Sequence, residues 1–333
     1  MKDNFADHLE KFFNHITNRR GLSKHTASAY SDAVLMLFRY LRETAGIRPN
    51  QITFQHFSKE CVSSFCDWIE NTLGNSIATR NQRLTAMHAF FRYVQNEEPS
   101  KLAICRDILS IRMKKHCVKP PKYLSTEAMK AILSAPDSNS HTGIRDLAIL
   151  SLLYDSATRI QELIDLKVTD ISISKPSTIR VTGKGNKVRV IPILPETAKI
   201  LEIYIERHRL PAHDALLFTN RSKQSLSRVG VNYILNKYVD KVKANSPELI
   251  PISVTPHVIR HSKASHLLAA GVNLIYIRDL LGHSSVITTE IYASTNPEFL
   301  QKAIENSAVK TTPPSSRSSD KKDLTDFLKC YRC

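Results

Sequence analysis

Acidic residues are scarce in this chain. It carries 31 Asp and Glu against 47 Lys and Arg in 333 residues, a formal net charge of +16 at pH 7. A positive field of that size attracts and steers a polyanion. Nucleic acid is the leading class of partner; an anionic membrane surface or plain solubility are the alternatives. Long hydrophobic runs are missing too. No apolar stretch approaches the roughly 20 residues of a membrane span, and the opening residues, MKDNFADHLEKFF, place charges where a signal peptide needs an apolar run. No membrane partner is expected. The cysteines are few and scattered (Cys61, Cys66, Cys105, Cys117, Cys330, Cys333), and without a secretion signal they read as reduced thiols of a cytoplasmic protein. Cys330 and Cys333 have metal or redox spacing but no second pair to complete a zinc site. Carboxylates are nowhere clustered as a Mg²⁺ site uses them, which weighs against a two-metal nuclease.

What is present is helical periodicity. Phe5, Leu9, Phe12, Phe13 and Ile16 predict a helix over 3–18. Gly21 breaks it and Ser23 can cap the next. Ala27, Tyr30, Val34, Leu37 and Leu41 then form an apolar stripe that Gly46 and Pro49 close. Further helices are expected over about 58–72 and 76–95. Residues 1–111 thus read as an all-helical domain with no strand pattern. Lys24, Arg80 and Arg83 lie near helix starts, where cationic side chains and free N–H groups suit phosphate contacts. A solvated charged face is the plainer alternative.

Residues 112–122, RMKKHCVKPPK, form a basic, Pro-containing linker in which Lys114 and Lys115 could neutralise phosphates. A second domain follows over 123–305. Leu124-Ser125-Thr126-Glu127 is a helix start, 141–155 a buried helix, and Thr158-Arg159-Ile160-Gln161-Glu162-Leu163 another helix start. The period then changes. Residues 178–182 and 187–191 read as strands joined by Gly183-Lys184-Gly185-Asn186, a hairpin. Helices are expected again over about 195–208, 225–243, 256–270, 273–281 and 285–292. The remainder, 306–333, is polar and flexible, apart from Leu324, Phe327 and Leu328.

Residues 255–292 interrupt an apolar helical pattern with chemistry-bearing groups. His257 and Arg260 are three apart, His261 follows, His283 comes after Leu281-Gly282, and Tyr292 lies nine residues beyond His283. Cleaving a phosphodiester without metal needs an in-line nucleophile, forked cations for the equatorial oxygens, a base, and an acid for the departing 5′ oxygen. The chain offers a candidate for each. Taken singly the residues have plainer readings. His257 and His261 could be metal ligands or polar helix positions, Lys184 a turn lysine, His283 a boundary histidine and Tyr292 a core residue.

Taken in order, the pieces resemble the catalytic domain of tyrosine recombinases, the phage-integrase family, over roughly 123–295. They are Arg159 before Glu162-Leu163, Lys184 on its hairpin, the box His257-Val258-Ile259-Arg260, and Leu281-Gly282-His283 followed by Tyr292. More loosely, Leu22-Ser23-Lys24-His25-Thr26 with Tyr30, and Thr79-Arg80-Asn81-Gln82-Arg83-Leu84, resemble the family's helical core-binding domain. The resemblance implies a mainly α chain with the tyrosine-recombinase fold: a SAM-like core-binding domain and a mixed α/β catalytic domain with a small antiparallel sheet. It implies that Tyr292 is the nucleophile and forms a 3′-phosphotyrosyl bond. Arg159 and Arg260 would clamp the phosphate, His257 would take the tyrosine proton, and His283 would donate to a phosphate oxygen. Lys184 would protonate the 5′ oxygen, with Lys187 as the alternative, and Glu162 would orient its neighbours. The covalent bond would conserve the phosphodiester energy, so no metal, ATP or other cofactor is expected.

The same resemblance implies double-stranded DNA with specific recombination sites as partner. A homo-tetramer would form on DNA from a free monomer or weak oligomer, located in the cytoplasm at the nucleoid. No additional arm-binding domain is expected, which points to the simpler two-domain members. Chromosome-resolution enzymes and mobile-element integrases or transposases are the roles in view, the latter favoured by the long tail. A type IB topoisomerase and a catalytically silent DNA-binding relative are the rival readings. The family commonly has glycine two residues before the first arginine, where this chain has Ala157. The C-terminal segment often docks on a neighbouring protomer, a role open to Leu324, Phe327 and Leu328; a disordered tail is the other reading.

Overall fold

The structure, a computed structural model, describes residues 5–116, 121–183, 185–211, 215–220 and 222–282. Lys184, His283, Tyr292, the expected helix over 285–292 and the tail with Leu324, Phe327, Leu328, Cys330 and Cys333 lie outside the described residues. The chain divides into two compact units, Met1–Val118 and Lys119–Cys333.

The first unit is helical: α1 (Phe5–Asn14), α2 (Lys24–Ala45), α3 (Lys59–Asn71), α4 (Ile77–Glu97) and α5 (Leu102–Leu109). Its core is aromatic. Phe5 stacks on Phe57 at 4.8 Å between ring centroids and meets Phe90 edge-on at 5.3 Å. Phe90 meets Phe91 edge-on at 5.2 Å. Each such pair adds about 0.5–1.5 kcal/mol to the burial of its rings. α5 had no separate sequence signal. Its buried positions, Cys105 and Ile108, are too few to make a stripe.

Helix starts share one device. Ser23, Ser58, Ser76, Ser125, Ser140, Ser227 and Thr255 each accept, through the side-chain oxygen, a backbone N–H from the first turn of the helix that follows. Each cap satisfies an N–H that the helix itself leaves unpaired, at a typical gain of about 1 kcal/mol.

The second unit contains α6 (Thr126–Ser134), α7 (His141–Ser156), α8 (Ile160–Ile164), strands β1 (Ile171–Ser172), β2 (Thr178–Thr182) and β3 (Val188–Pro192), then α9 (Pro195–Arg207), α10 (Arg228–Asn245), α11 (Pro256–Ala269) and α12 (Leu274–Leu281). The strands form one antiparallel sheet in the order β1-β2-β3. Ile179, Val181 and Ile191 bury the inner face, and Val181 pairs with Arg189 in the β2–β3 register. α7 is the central helix. It is buried on most of its surface, including Asp146, Ser151, Asp155 and Ser156, and packs against α9 and α11. No helix among the described residues is long and apolar enough to cross a membrane.

Candidate active site

The site is assembled at helix ends. α7 stops at Ser156, and Ala157 adopts a left-handed conformation (φ 48°, ψ 31°) that reverses the chain. Two residues on, Arg159 begins α8. Its backbone N–H donates to Glu162 Oε2 at 2.8 Å and its Nη1 to Glu162 Oε1 at 2.9 Å. One carboxylate therefore fixes both the start of the helix and the guanidinium.

Arg260 lies on the buried side of α11, with 4% of its surface exposed. Its Nη1 donates to the Ala157 carbonyl at 2.7 Å and its Nη2 to the Leu281 carbonyl. Arg159 Nη2 reaches the next carbonyl, Gly282, at 3.3 Å. The two arginines proposed as a clamp therefore converge on successive carbonyls at the end of α12. Carbonyls at a helix C-terminus are unpaired and carry the negative end of the dipole, so they hold guanidinium groups well. His283 follows directly in sequence.

His257 sits one turn before Arg260 on α11 and is exposed. Partial desolvation, then the charges of Arg260 and Arg159, lower its pKa below the ordinary histidine value. His261 is held down in the same sense by desolvation, His257 and Arg260. Both imidazoles therefore favour the neutral form, and His257 has a free lone pair at neutral pH.

Glu162 is 7% exposed. Burial pushes its pKa up, but hydrogen bonds and charge from Arg189 and Arg159 outweigh this and hold it below the usual carboxylate range. Arg189 is the partner that the motifs did not reveal. Its Nη1 and Nη2 donate to Glu162 Oε1 and Oε2 at 3.1 and 2.8 Å, and its Nε donates to the Leu280 carbonyl at 3.2 Å. A signal was available: in β3 the inward positions are Arg189 and Ile191, and a charge on the core-facing register of a strand needs a buried partner. Asp155 was missed likewise. It accepts from Lys263 Nζ at 3.0 Å and from the Leu194 N–H at 2.7 Å, tying α7 to α11 and to the start of α9.

On the hairpin, Gly183 N–H donates to the Lys187 carbonyl at 2.8 Å, and Lys187 is exposed. Gly185 and Asn186 carry the positive φ values, 77° and 59°, that close the turn.

The residues expected to contact DNA have diverse surroundings. Lys24 and Lys115 are exposed. Arg83 is half-buried and donates to the Ala29 carbonyl at 3.2 Å. Arg80 differs from the expectation of an open phosphate contact. It is 4% exposed, and its Nη1 donates to Asn81 Oδ1 at 2.9 Å and to the Arg112 carbonyl at 3.5 Å. The first residues of the expected linker are likewise anchored. Asn81 exchanges hydrogen bonds with the Lys114 backbone at 2.8 and 3.1 Å, and Lys114 Nζ pairs with Glu70 at 2.8 Å and Asp67 at 3.4 Å.

Residues 122–298 match the phage integrase family, and residues 9–98 match the phage integrase N-terminal SAM-like domain. The integrase/recombinase y4rC of Sinorhizobium fredii is 34% identical over 312 residues, covering 93% of this chain and 92% of that protein. The tyrosine recombinase XerC of Thermodesulfovibrio yellowstonii is 30% identical over 308 residues, covering 90% and 95%. Among solved structures, the Tn1549 transposon integrase in complex with a circular-intermediate DNA superposes with a TM-score of 0.70 at 18% identity, covering 90% of this chain and 99% of that one. The chain belongs to the phage integrase family. It is a tyrosine recombinase, an enzyme of DNA strand cleavage and religation, and the helical SAM-like and catalytic domains are those of that fold.

Proposed function

We propose that this chain recombines DNA at specific sites through a 3′-phosphotyrosyl intermediate formed by Tyr292. The observation that carries the reading is the convergence of Arg159 and Arg260 on the end of α12, directly before His283. In the first step the Tyr292 phenolic oxygen attacks the scissile phosphorus while its proton passes to neutral His257. The bond from phosphorus to the 5′ oxygen breaks, and Lys184 supplies the proton that oxygen takes up. Arg159, Arg260 and His283 donate to the non-bridging oxygens, where charge accumulates. Glu162 holds Arg159 in place. In the reverse sense, a 5′-hydroxyl from the partner duplex attacks the phosphotyrosyl bond and releases the tyrosine. Bond energy is conserved, so the sequence of steps closes without ATP.

Double-stranded DNA bearing recombination sites is the substrate. Four protomers assembled on two sites exchange strands in pairs through a four-way junction, and the enzyme works on the cytoplasmic nucleoid. The first domain, residues 1–111, and the linker, 112–122, lend Lys24, Arg83, Lys114 and Lys115 to the phosphate backbone, and residues 123–305 carry the chemistry. Leu324, Phe327 and Leu328, in the tail 306–333, would supply an apolar contact to a neighbouring protomer. Likeness to y4rC and to a transposon integrase supports a mobile-element role.

The test is recombination between two copies of the DNA segments that flank the gene, on one plasmid. Site-dependent deletion or inversion is expected. Efficient relaxation of a plasmid lacking those segments, with no recombinant product, would instead favour the topoisomerase reading.

A further inference from the structure

The Arg189 guanidinium lies where three segments that lead to proposed site residues meet. It grips Glu162, which grips Arg159. Its Nε holds the Leu280 carbonyl in the last turn of α12, ahead of His283. Its own strand forms one arm of the hairpin that carries Lys184.

Two glycines fit around it. A Cβ placed on Gly282 would stand 2.9 Å from Arg189 Nη1 and 3.0 Å from its Cζ. A Cβ on Gly183 would stand 3.2 Å from both Arg189 Nη1 and Glu162 Oε1. The residues immediately before Lys184 and His283 thus both lie in close contact with one guanidinium. Gly282 also has a left-handed φ of 62°, so it is constrained by both space and backbone.

The fork geometry matters. A guanidinium donates in parallel to both carboxylate oxygens and still has Nε for a carbonyl, whereas an ammonium has no such planar fork. With 16% of its side chain exposed, Arg189 makes this pair largely out of water, where removing one partner leaves the other charge uncompensated.

We propose that Arg189 is a positioning residue that couples the β2–β3 hairpin to the phosphate clamp. Its contacts dock the hairpin against Glu162 and the end of α12, so the acid on the hairpin and the arginines of the clamp take up their places together. Arg189 itself does not touch the reacting phosphate. This proposal rests on the recombinase reading above.

The test uses the full chain, wild type and the variants R189Q and R189K, with R189K keeping a cation beside Glu162. Folding of each is checked by far-UV circular dichroism and thermal melting. Cleavage is followed on nicked suicide substrates carrying the ordinary phosphate or a 5′-bridging phosphorothioate, whose sulfur leaves without a proton. On the ordinary substrate both folded variants are expected to lose about 10–100-fold in rate, the size typical when a partner that orients a site residue is removed. DNA affinity stays close to wild type. The phosphorothioate restores most of the loss, because it bypasses the acid that the undocked hairpin misplaces.

Wild-type rates in both variants, or equal losses on the two substrates, would overturn the coupling while leaving the recombinase reading intact. If the wild type itself forms no adduct on either substrate, the recombinase reading fails first and this proposal with it.

Discussion

Ala157 presents its carbonyl to Arg260 Nη1 at 2.7 Å from a backbone that alanine rarely adopts. The left-handed turn lets α7 end and Arg159 begin α8 within two residues, and it aims the carbonyl at the guanidinium. For an L-residue with a Cβ, that conformation costs about 1–2 kcal/mol. Glycine avoids the cost but returns about 0.4–1 kcal/mol through a freer unfolded chain. Ala157→Gly is therefore expected to raise stability by roughly 0.5–1 kcal/mol. In a thermal melt a rise of a few degrees supports the strain, and a fall means the buried methyl contributes more by packing than the backbone conformation costs.

Five histidines are expected to contribute to the loss of stability at acid pH. His208, His257, His261 and His266 in the second unit, and His88 in the first, all have pKa values lowered chiefly by desolvation. Unfolded, each titrates near about 6.5. As pH falls through that value the unfolded chain takes up protons first, so stability declines until the lower folded pKa values are passed. The urea midpoint at pH 5.5 should therefore lie below that at pH 7.5. An equal or higher midpoint at pH 5.5 would contradict the partial desolvation of these rings.

Arg80 and Lys24 separate structural from surface cations in the first unit. Arg80→Ala removes a nearly buried guanidinium that ties α4 to Arg112, and it should cost about 1–3 kcal/mol of stability. Lys24→Ala, at an exposed helix start, should stay within about 0.5 kcal/mol of wild type while weakening DNA binding at low salt. Melting curves and a salt titration of DNA affinity check both. An unchanged melt for Arg80→Ala would return that residue to the surface class.

The leaving-group acid is tested by Lys184→Ala. Cleavage should slow by about 10²–10⁴-fold, the usual contribution of a positioned acid, and a 5′-bridging phosphorothioate should restore it. If the ordinary substrate is cleaved normally by Lys184→Ala and only a Lys187 variant shows the loss and the rescue, the acid is Lys187.

Periodicity read the helices well, because their apolar stripes and serine caps are local. α9, α11 and α12 start or stop within a residue or so of the expected limits. β1 and α5 were not read, being too short to show a period. The site divides in the same way. Arg159, Glu162, His257 and Arg260 stand out through spacing within one helix or helix start. Arg189 and Asp155 owe their position to partners distant in sequence, Glu162 for one and Lys263 for the other. The near-burial of Arg80 is not legible in sequence, because a basic residue near a helix start has the same signature on the surface as in a tie to a distant carbonyl.

The central claim is that Tyr292 attacks DNA. A nicked suicide substrate built from the DNA flanking the gene, incubated with wild type and with Tyr292→Phe, tests it most directly. Wild type is expected to give an adduct that survives denaturation, linked through Tyr292 to a 3′-phosphate. The variant should bind the same DNA with similar affinity and give no adduct. An adduct persisting in Tyr292→Phe, or one mapped to another residue in the wild type, would contradict the account.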